Sequence, residues 1–186
     1  SWGAALAILF AERYSSSIQK VVLIACGPLN KIQGEQFQNE LIVRFGNRRN
    51  FYDGLWYAID EEKDEKKQQQ LADHYIEQMM EIYQKDPESG LEVQPLYWDY
   101  KASFRTMCQS DEYTSDNKYE KALSKIESPL TVIHGTYDVI SPVSLFSLIR
   151  KYLPHARMIK LEKAGHYPWA GPCRKEFIGK LELELK

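Results

Sequence analysis

The sequence predicts an α/β protein: a parallel sheet with flanking helices, split by a long helical insertion. Three observations predict it. Val21-Val22-Leu23-Ile24-Ala25 is short, β-branched and closed by Gly27-Pro28, the signature of a strand buried on both faces. From Leu130 onward, strand and helix patterns alternate, which implies parallel pairing through right-handed crossovers. From about residue 30 to 127 the chain is instead polar, aromatic and helical in pattern, too long for a plain loop. The expected organisation is a core segment at 1–29, an insertion at 30–127, and a second core segment at 128–186.

Each element has its own justification. Residues 4–11, Ala-Ala-Leu-Ala-Ile-Leu-Phe-Ala, are apolar on every side and free of Pro, which predicts a buried helix. Its small residues, Gly3, Ala4, Ala5 and Ala7, suit close approach to a sheet. In the insertion, Glu61 to Gln70 is a run of charge and glutamine. Leu71, Tyr75, Met79 and Tyr83 then recur at four-residue steps, an amphipathic helix that Pro87 and Gly90 terminate. Leu96-Tyr97-Trp98-Asp99-Tyr100 with Phe104 predicts another helix. Pro129 starts the strand Leu130 to His134. Pro142 suits the first turn of a helix running to Tyr152, and Pro154 ends it. Arg157 to Leu161 is the next strand, and Phe177, Ile178, Leu181 and Leu185 mark a last amphipathic helix.

Composition removes whole classes of function. The 186 residues are 44% hydrophobic, enough to build a core. No stretch approaches the ~20 apolar residues that cross a bilayer. A net charge of −2 argues against a nucleic-acid partner. Cys26, Cys108 and Cys173 are odd in number and far apart, without a C-x-x-C pair, which fits buried or idle thiols in a reducing, cytoplasmic setting. No cluster suggests a metal, and no cofactor is implied; His74 beside Asp73 and Glu77 lacks the further ligands a metal needs. The chain opens on Ser1-Trp2-Gly3 rather than Met, without a signal-peptide pattern, and is expected to be the carboxyl-terminal portion of a longer domain.

Ligands of open α/β sheets bind at the carboxyl ends of the strands. Asp138 follows the strand ending at His134, His166 follows the strand ending at Leu161, and Ser1 opens the first helix. The order is Ser, then acid, then His. Ser1-Trp2-Gly3 looks like the last three residues of a G-x-S-x-G nucleophile elbow. Gly135-Thr136-Tyr137-Asp138-Val139-Ile140-Ser141-Pro142 and Ala164-Gly165-His166-Tyr167-Pro168-Trp169 are similar to an acid loop and a histidine loop. On these motifs the chain resembles the α/β-hydrolases over about half its length, as a partial fold with a helical lid.

The resemblance implies a Ser1–His166–Asp138 triad for acyl transfer to water. A hydroxyl is a weak nucleophile until a base takes its proton. His166 would be that base, Asp138 would hold its tautomer, and the Trp2 N–H at the positive helix N-terminus would donate to the oxyanion. His134 is expected to support the acid loop. Ser-Trp-Gly followed by a Leu-Ala-containing helix, with a large lid, is most similar to the proline iminopeptidases, which act on short peptides. That reading needs a lid carboxylate for the substrate ammonium, from among Glu35, Glu40, Asp53, Asp60 and Asp99. A carboxylesterase or thioesterase-like hydrolase of a small hydrophobic acyl group is the alternative, and a non-catalytic hydrolase-like binding module is a third reading. An N-terminal-nucleophile hydrolase would need a strand, not a helix, after Ser1. The lid aromatics Trp56, Tyr57 and Trp98 are candidates for substrate contact or for the lid's own core. The strands before the elbow, and the loop supplying a second oxyanion donor, are expected to lie in a missing amino-terminal part. The chain alone is therefore expected to be inactive, and its oligomeric state is not legible.

Overall fold

The computed structural model describes residues 1–84 and 99–186. Pro87, Gly90 and Leu96 to Trp98, including the candidate Trp98, lie outside the described residues. Three strands, β1 (Val21–Ile24), β2 (Leu130–Gly135) and β3 (Arg157–Leu161), form a parallel sheet in the order β1-β2-β3. Leu23 pairs with Val132 and Ile133 with Ile159, so the register carries apolar side chains across the sheet.

Both faces are covered. Leu23 and Val132 point into a core shared with Ala5 and Ile8 of α1 (Trp2–Arg13) and with Leu145 and Ile149 of α7 (Pro142–Tyr152). Ile133 and Ile159 point the other way, onto Phe177 of α8 (Arg174–Leu185). Successive side chains of a strand alternate between faces, so a strand with apolar layers on both sides reads as a continuous buried run. β2 is such a strand, with all six residues buried.

One expectation needs correction. The all-apolar sequence of α1 predicted complete burial, yet only Ala4, Ala5, Ile8 and Ala11 are buried. Trp2, Leu6 and Phe10, one stripe of the helix, are 47%, 48% and 55% exposed. The reason is the sheet order: β1 is an edge strand, and among the described residues nothing packs beyond it.

Between β1 and β2 the described residues are largely helical: α2 (Lys31–Phe45), α3 (Arg49–Glu61), α4 (Glu65–Gln84), α5 (Tyr100–Ser115) and α6 (Lys118–Leu123). Side-chain caps set three of the starts. Asn30 Oδ1 accepts the Gln33 N–H, Asp64 Oδ1 the Lys67 N–H, and Asp99 Oδ1 the Ala102 N–H. α3 packs along α4, and α5 against α2 and α6. At the amino ends of the strands a single carboxylate gathers the sheet. Glu184 of α8, 2% exposed, ion-pairs with Lys20 at 2.8 Å and Arg157 at 2.6 Å, and accepts a 2.7 Å bond from Thr131 Oγ1. Its pKa is held below the ordinary value by these bonds, led by Lys20. The opposite, carboxyl ends of the strands carry the candidate site.

Candidate active site

Asp138 stands in the loop after β2. Its Oδ1 accepts the Ile140 N–H at 3.0 Å, and its Oδ2 lies 2.9 Å from His166 Nδ1. Both residues are buried, 4% and 3% exposed. Burial would push the Asp138 carboxyl up; the charge and hydrogen bond of His166, together with His134 and the Ile140 N–H, outweigh it and hold the group below the ordinary carboxylate range. His134, fully buried, donates from Nε2 to Ile140 O at 2.9 Å and sits 3.5 Å from Asp138 Oδ2. Burial lowers its pKa, so it is a neutral buttress of the acid loop, as the sequence suggested.

The two loops are laced together by backbone. Thr136 N–H donates to Leu161 O, Tyr137 N–H to Ala164 O, and Lys163 N–H to Thr136 Oγ1. A Cβ on Gly135 would come within 2.6 Å of the Ala164 carbonyl carbon, so only glycine lets the loops cross this closely. Lys163, at φ 61°, makes the left-handed turn that leads into the histidine loop.

The histidine loop is held from above by the end of α4. His166 N–H donates to Tyr83 O at 3.2 Å. Gln84 makes a reciprocal pair with Tyr167: its Oε1 accepts the Tyr167 N–H at 3.0 Å and its Nε2 donates to Tyr167 O at 3.2 Å. The His166 ring packs against those of Tyr83 and Tyr167, centroids 5.1 and 5.2 Å away, in a cluster of three rings. Burial pushes the Tyr167 phenol up to about 12, so it stays neutral. A further side chain, Arg44 of α2, reaches the acid loop, donating to the carbonyls of Tyr137 and Asp138 at 2.9 and 2.8 Å. Neither Arg44 nor Gln84 was singled out from sequence. Glu40 and Arg44 stand four apart on a helix, the ordinary spacing of a surface ion pair.

Ser1 stands at the head of α1, its carbonyl accepting the N–H groups of Ala4 and Ala5. Its amino nitrogen donates to Ile24 O at 3.3 Å. A Cβ on Gly27, in the loop after β1, would lie 3.6 Å from Ser1 Oγ. Ser1, Asp138 and His166 thus occupy the carboxyl ends of neighbouring strands. The structure brings Asp138 and His166 into contact; no hydrogen bond joins Ser1 Oγ to His166 among the described residues. Trp2, first residue of α1, carries an N–H without an intrahelical acceptor. Ala25, at φ 46°, turns the chain sharply out of β1. Cys26 beside it is fully buried, and burial pushes its thiol up to about 12, which leaves it a neutral packing group.

The two candidate aromatics among the described residues differ in their surroundings. Trp56 packs on Tyr75, Tyr100 and Phe104. Tyr57 is 68% exposed on α3. Neither makes a ring contact with His166 among the described residues, whereas Tyr83 does. Three of the five lid carboxylates are otherwise engaged: Glu40 with Arg44, Asp53 with Arg49, and Asp99 as the cap of α5. Among the described residues no group of three or more His, Cys, Asp or Glu side chains is placed to hold a metal ion, and no helix is long and apolar enough to cross a membrane.

This arrangement defines an α/β fold with an acid–histidine pair at the strand ends. The family model described as alpha/beta hydrolase fold matches residues 1–169, and the chain belongs to that family. Two curated relatives are pimeloyl-(acyl-carrier protein) methyl ester esterases. The one from Nitrosomonas europaea is 36% identical over 56 residues, 30% of this chain and 21% of the relative. The one from Aromatoleum aromaticum is 29% identical over 58 residues, 31% of this chain and 23% of the relative. Among solved structures, VinJ superposes on 99% of this chain with a TM-score of 0.59 and 17% identity, and an alpha/beta hydrolase from a Medee basin deep-sea metagenome library on 100% with a TM-score of 0.53 and 16% identity. The chain spans 64% and 62% of those two proteins. At these identities the structural likeness bears on the fold.

Proposed function

We propose that the protein containing this chain is a serine hydrolase that cleaves a carboxylic ester through Ser1, His166 and Asp138. The observation that supports the reading is the buried 2.9 Å contact between His166 Nδ1 and Asp138 Oδ2 at the carboxyl ends of the strands. An imidazole held this way keeps its proton on Nδ1 and leaves Nε2 free to act as base. Ser1 Oγ attacks the ester carbonyl while His166 Nε2 takes its proton. The tetrahedral oxyanion forms against the Trp2 N–H and the helix N-terminus. Collapse expels the alcohol, which leaves with the proton from His166. Water then attacks the acyl-enzyme with His166 again as base, releasing the acid and restoring Ser1. Asp138 stays ionised throughout.

The names of the curated relatives favour an ester over the N-terminal proline peptide expected from sequence. Engagement of Glu40, Asp53 and Asp99 within the lid also weakens the case for an ammonium-binding carboxylate among them. The reading includes a further part of the same domain, pairing with the outer edge of β1 and covering the exposed stripe of α1, without which the chain alone is inactive. Unpaired strand edges and exposed apolar faces favour such a cover. A cytoplasmic setting belongs to it as well, supported by three unpaired cysteines.

The test is fluorophosphonate labelling and p-nitrophenyl ester turnover by the full-length protein and its Ser1→Ala variant. Labelling at Ser1, with turnover reduced by about 10⁴-fold or more in the variant, is expected. A folded full-length protein that neither labels nor turns over ester would leave the non-catalytic binding module. Selective turnover of proline anilide would return the peptidase reading.

A further inference from the structure

The geometry points to Arg44 as a positioning residue, a lid side chain that sets the Asp138–His166 pair in register; this rests on the hydrolase reading above. The Arg44 side chain is 7% exposed, although it lies on a lid helix. Its five N–H groups meet five oxygens. Nε donates to Glu40 at 2.8 Å. Nη1 donates to the Ile82 and Tyr83 carbonyls at 2.9 and 3.4 Å. Nη2 donates to the Tyr137 and Asp138 carbonyls at 2.9 and 2.8 Å.

Those four carbonyls fall into two pairs with different parents. Ile82 and Tyr83 belong to α4, close to the last residue of that helix, Gln84. Tyr137 and Asp138 belong to the acid loop. One planar fork therefore ties α4 to the acid loop. The Tyr83 carbonyl takes a second donor, the His166 N–H at 3.2 Å, and the next residue, Gln84, brackets Tyr167. Arg44 is thus one carbonyl removed from the histidine and holds the acid directly by its backbone. The acid and base sit on separate loops that backbone bonds already lace together, and Arg44 adds a tie from α2 and α4 to that joint.

The fork shape is required. A lysine ammonium has three N–H groups at a single point and cannot span two carbonyl pairs. The role is geometric rather than electrostatic: Arg44 touches the main chain of Asp138 and its guanidinium is paired with Glu40.

The experiment compares the full-length wild type with Arg44→Lys and Gln84→Ala. In Arg44→Lys, kcat on a p-nitrophenyl ester falls about 10²-fold, as expected for misplacement on the ångström scale, while KM stays within about twofold. The acidic limb of kcat/KM moves to lower pH, because a loosened Asp138 stabilises the His166 imidazolium less. The downfield imidazole proton resonance of the His166–Asp138 bond, read without substrate, broadens or disappears. Gln84→Ala shifts the same three readouts less, and carries the comparison if Arg44→Lys does not fold. A folded Arg44→Lys with wild-type kcat, or one with lowered kcat but an unmoved acidic limb and an intact resonance, overturns the inference. Because the resonance needs no turnover, absence of esterase activity in the wild type removes the hydrolase reading without removing this comparison.

Discussion

The acid–base side of the candidate site and its nucleophile side are built to different standards. Asp138 and His166 are buried, hydrogen-bonded to each other, laced by backbone bonds between two loops, and roofed by Arg44, Tyr83 and Gln84. Ser1 is an exposed residue at the head of a helix whose Leu6 and Phe10 face solvent, beside a strand with an unpaired edge. The first side draws every support from this chain: β2, β3 and the lid. The second has its helix and one strand, with nothing beyond that strand among the described residues. The contrast teaches that an acid–histidine pair can be finished independently of the serine proposed as its nucleophile, because the pair hangs on β2 and β3 while Ser1 lies by β1.

The largest expected effect tests the finished side. Asp138→Asn keeps the shape, and an amide oxygen can still accept the Ile140 N–H. It removes the charge that favours the Nδ1 proton on His166 and leaves the wrong tautomer facing Ser1. In the full-length protein kcat on an activated ester falls about 10⁴-fold with KM little changed. Steady-state kinetics with a melting curve reads both numbers. A loss below tenfold in a folded variant would mean that the 2.9 Å contact is structural and that another group orients the base.

A smaller effect comes from the closeness of lid and histidine loop. A Cβ on Gly165 would lie 2.6 Å from Gln84 Cα, a backbone atom that cannot swing away. Gly165→Ala therefore forces the histidine loop and the end of α4 apart. Overpacking of this kind costs about 1–3 kcal/mol, and a displaced His166 costs about 10²-fold in kcat. Thermal unfolding and ester turnover should fall together. An alanine variant with unchanged kcat would show that the lid can lift without disturbing the pair, and would loosen the link between α4 and the histidine.

How much of this was legible in the sequence follows from what each part is made of. The strands were visible to within a residue, since β2 is buried on both faces and β1 on one face and partly on the other, and both leave an unbroken apolar signature. β3, half-exposed at the far edge, was found by its place between Pro154 and the histidine loop. Lid helix boundaries were less visible. The start of α4 is set by the Asp64 cap at Lys67, inside a run of charge and glutamine that carries no apolar period. Asp138 and His166 could be read because loop motifs and strand ends are local. Arg44 could not, since its partners Ile82, Tyr83, Tyr137 and Asp138 lie 38 to 94 residues away, and only the folded chain brings them to it.

The smallest effect is the one that separates the two sides most directly. The sequence reads Gly3 as small for close approach to a sheet, yet a Cβ on Gly3 would meet nothing within 4 Å among the described residues. Gly3 lies in α1, where alanine is favoured over glycine by roughly 0.5–1 kcal/mol. In the 186-residue chain, Gly3→Ala is therefore neutral or slightly stabilising, in contrast to Gly165→Ala. If a further part of the domain pairs with the outer edge of β1, as proposed, the sign should reverse in the protein that carries it, because the added strand would come close to Gly3 and leave no room for a methyl group. Parallel melting curves of the two lengths, each with and without the substitution, read the difference. The same small stabilisation in both would mean that this side of α1 stays open, and that Ser1 works from an uncovered helix end.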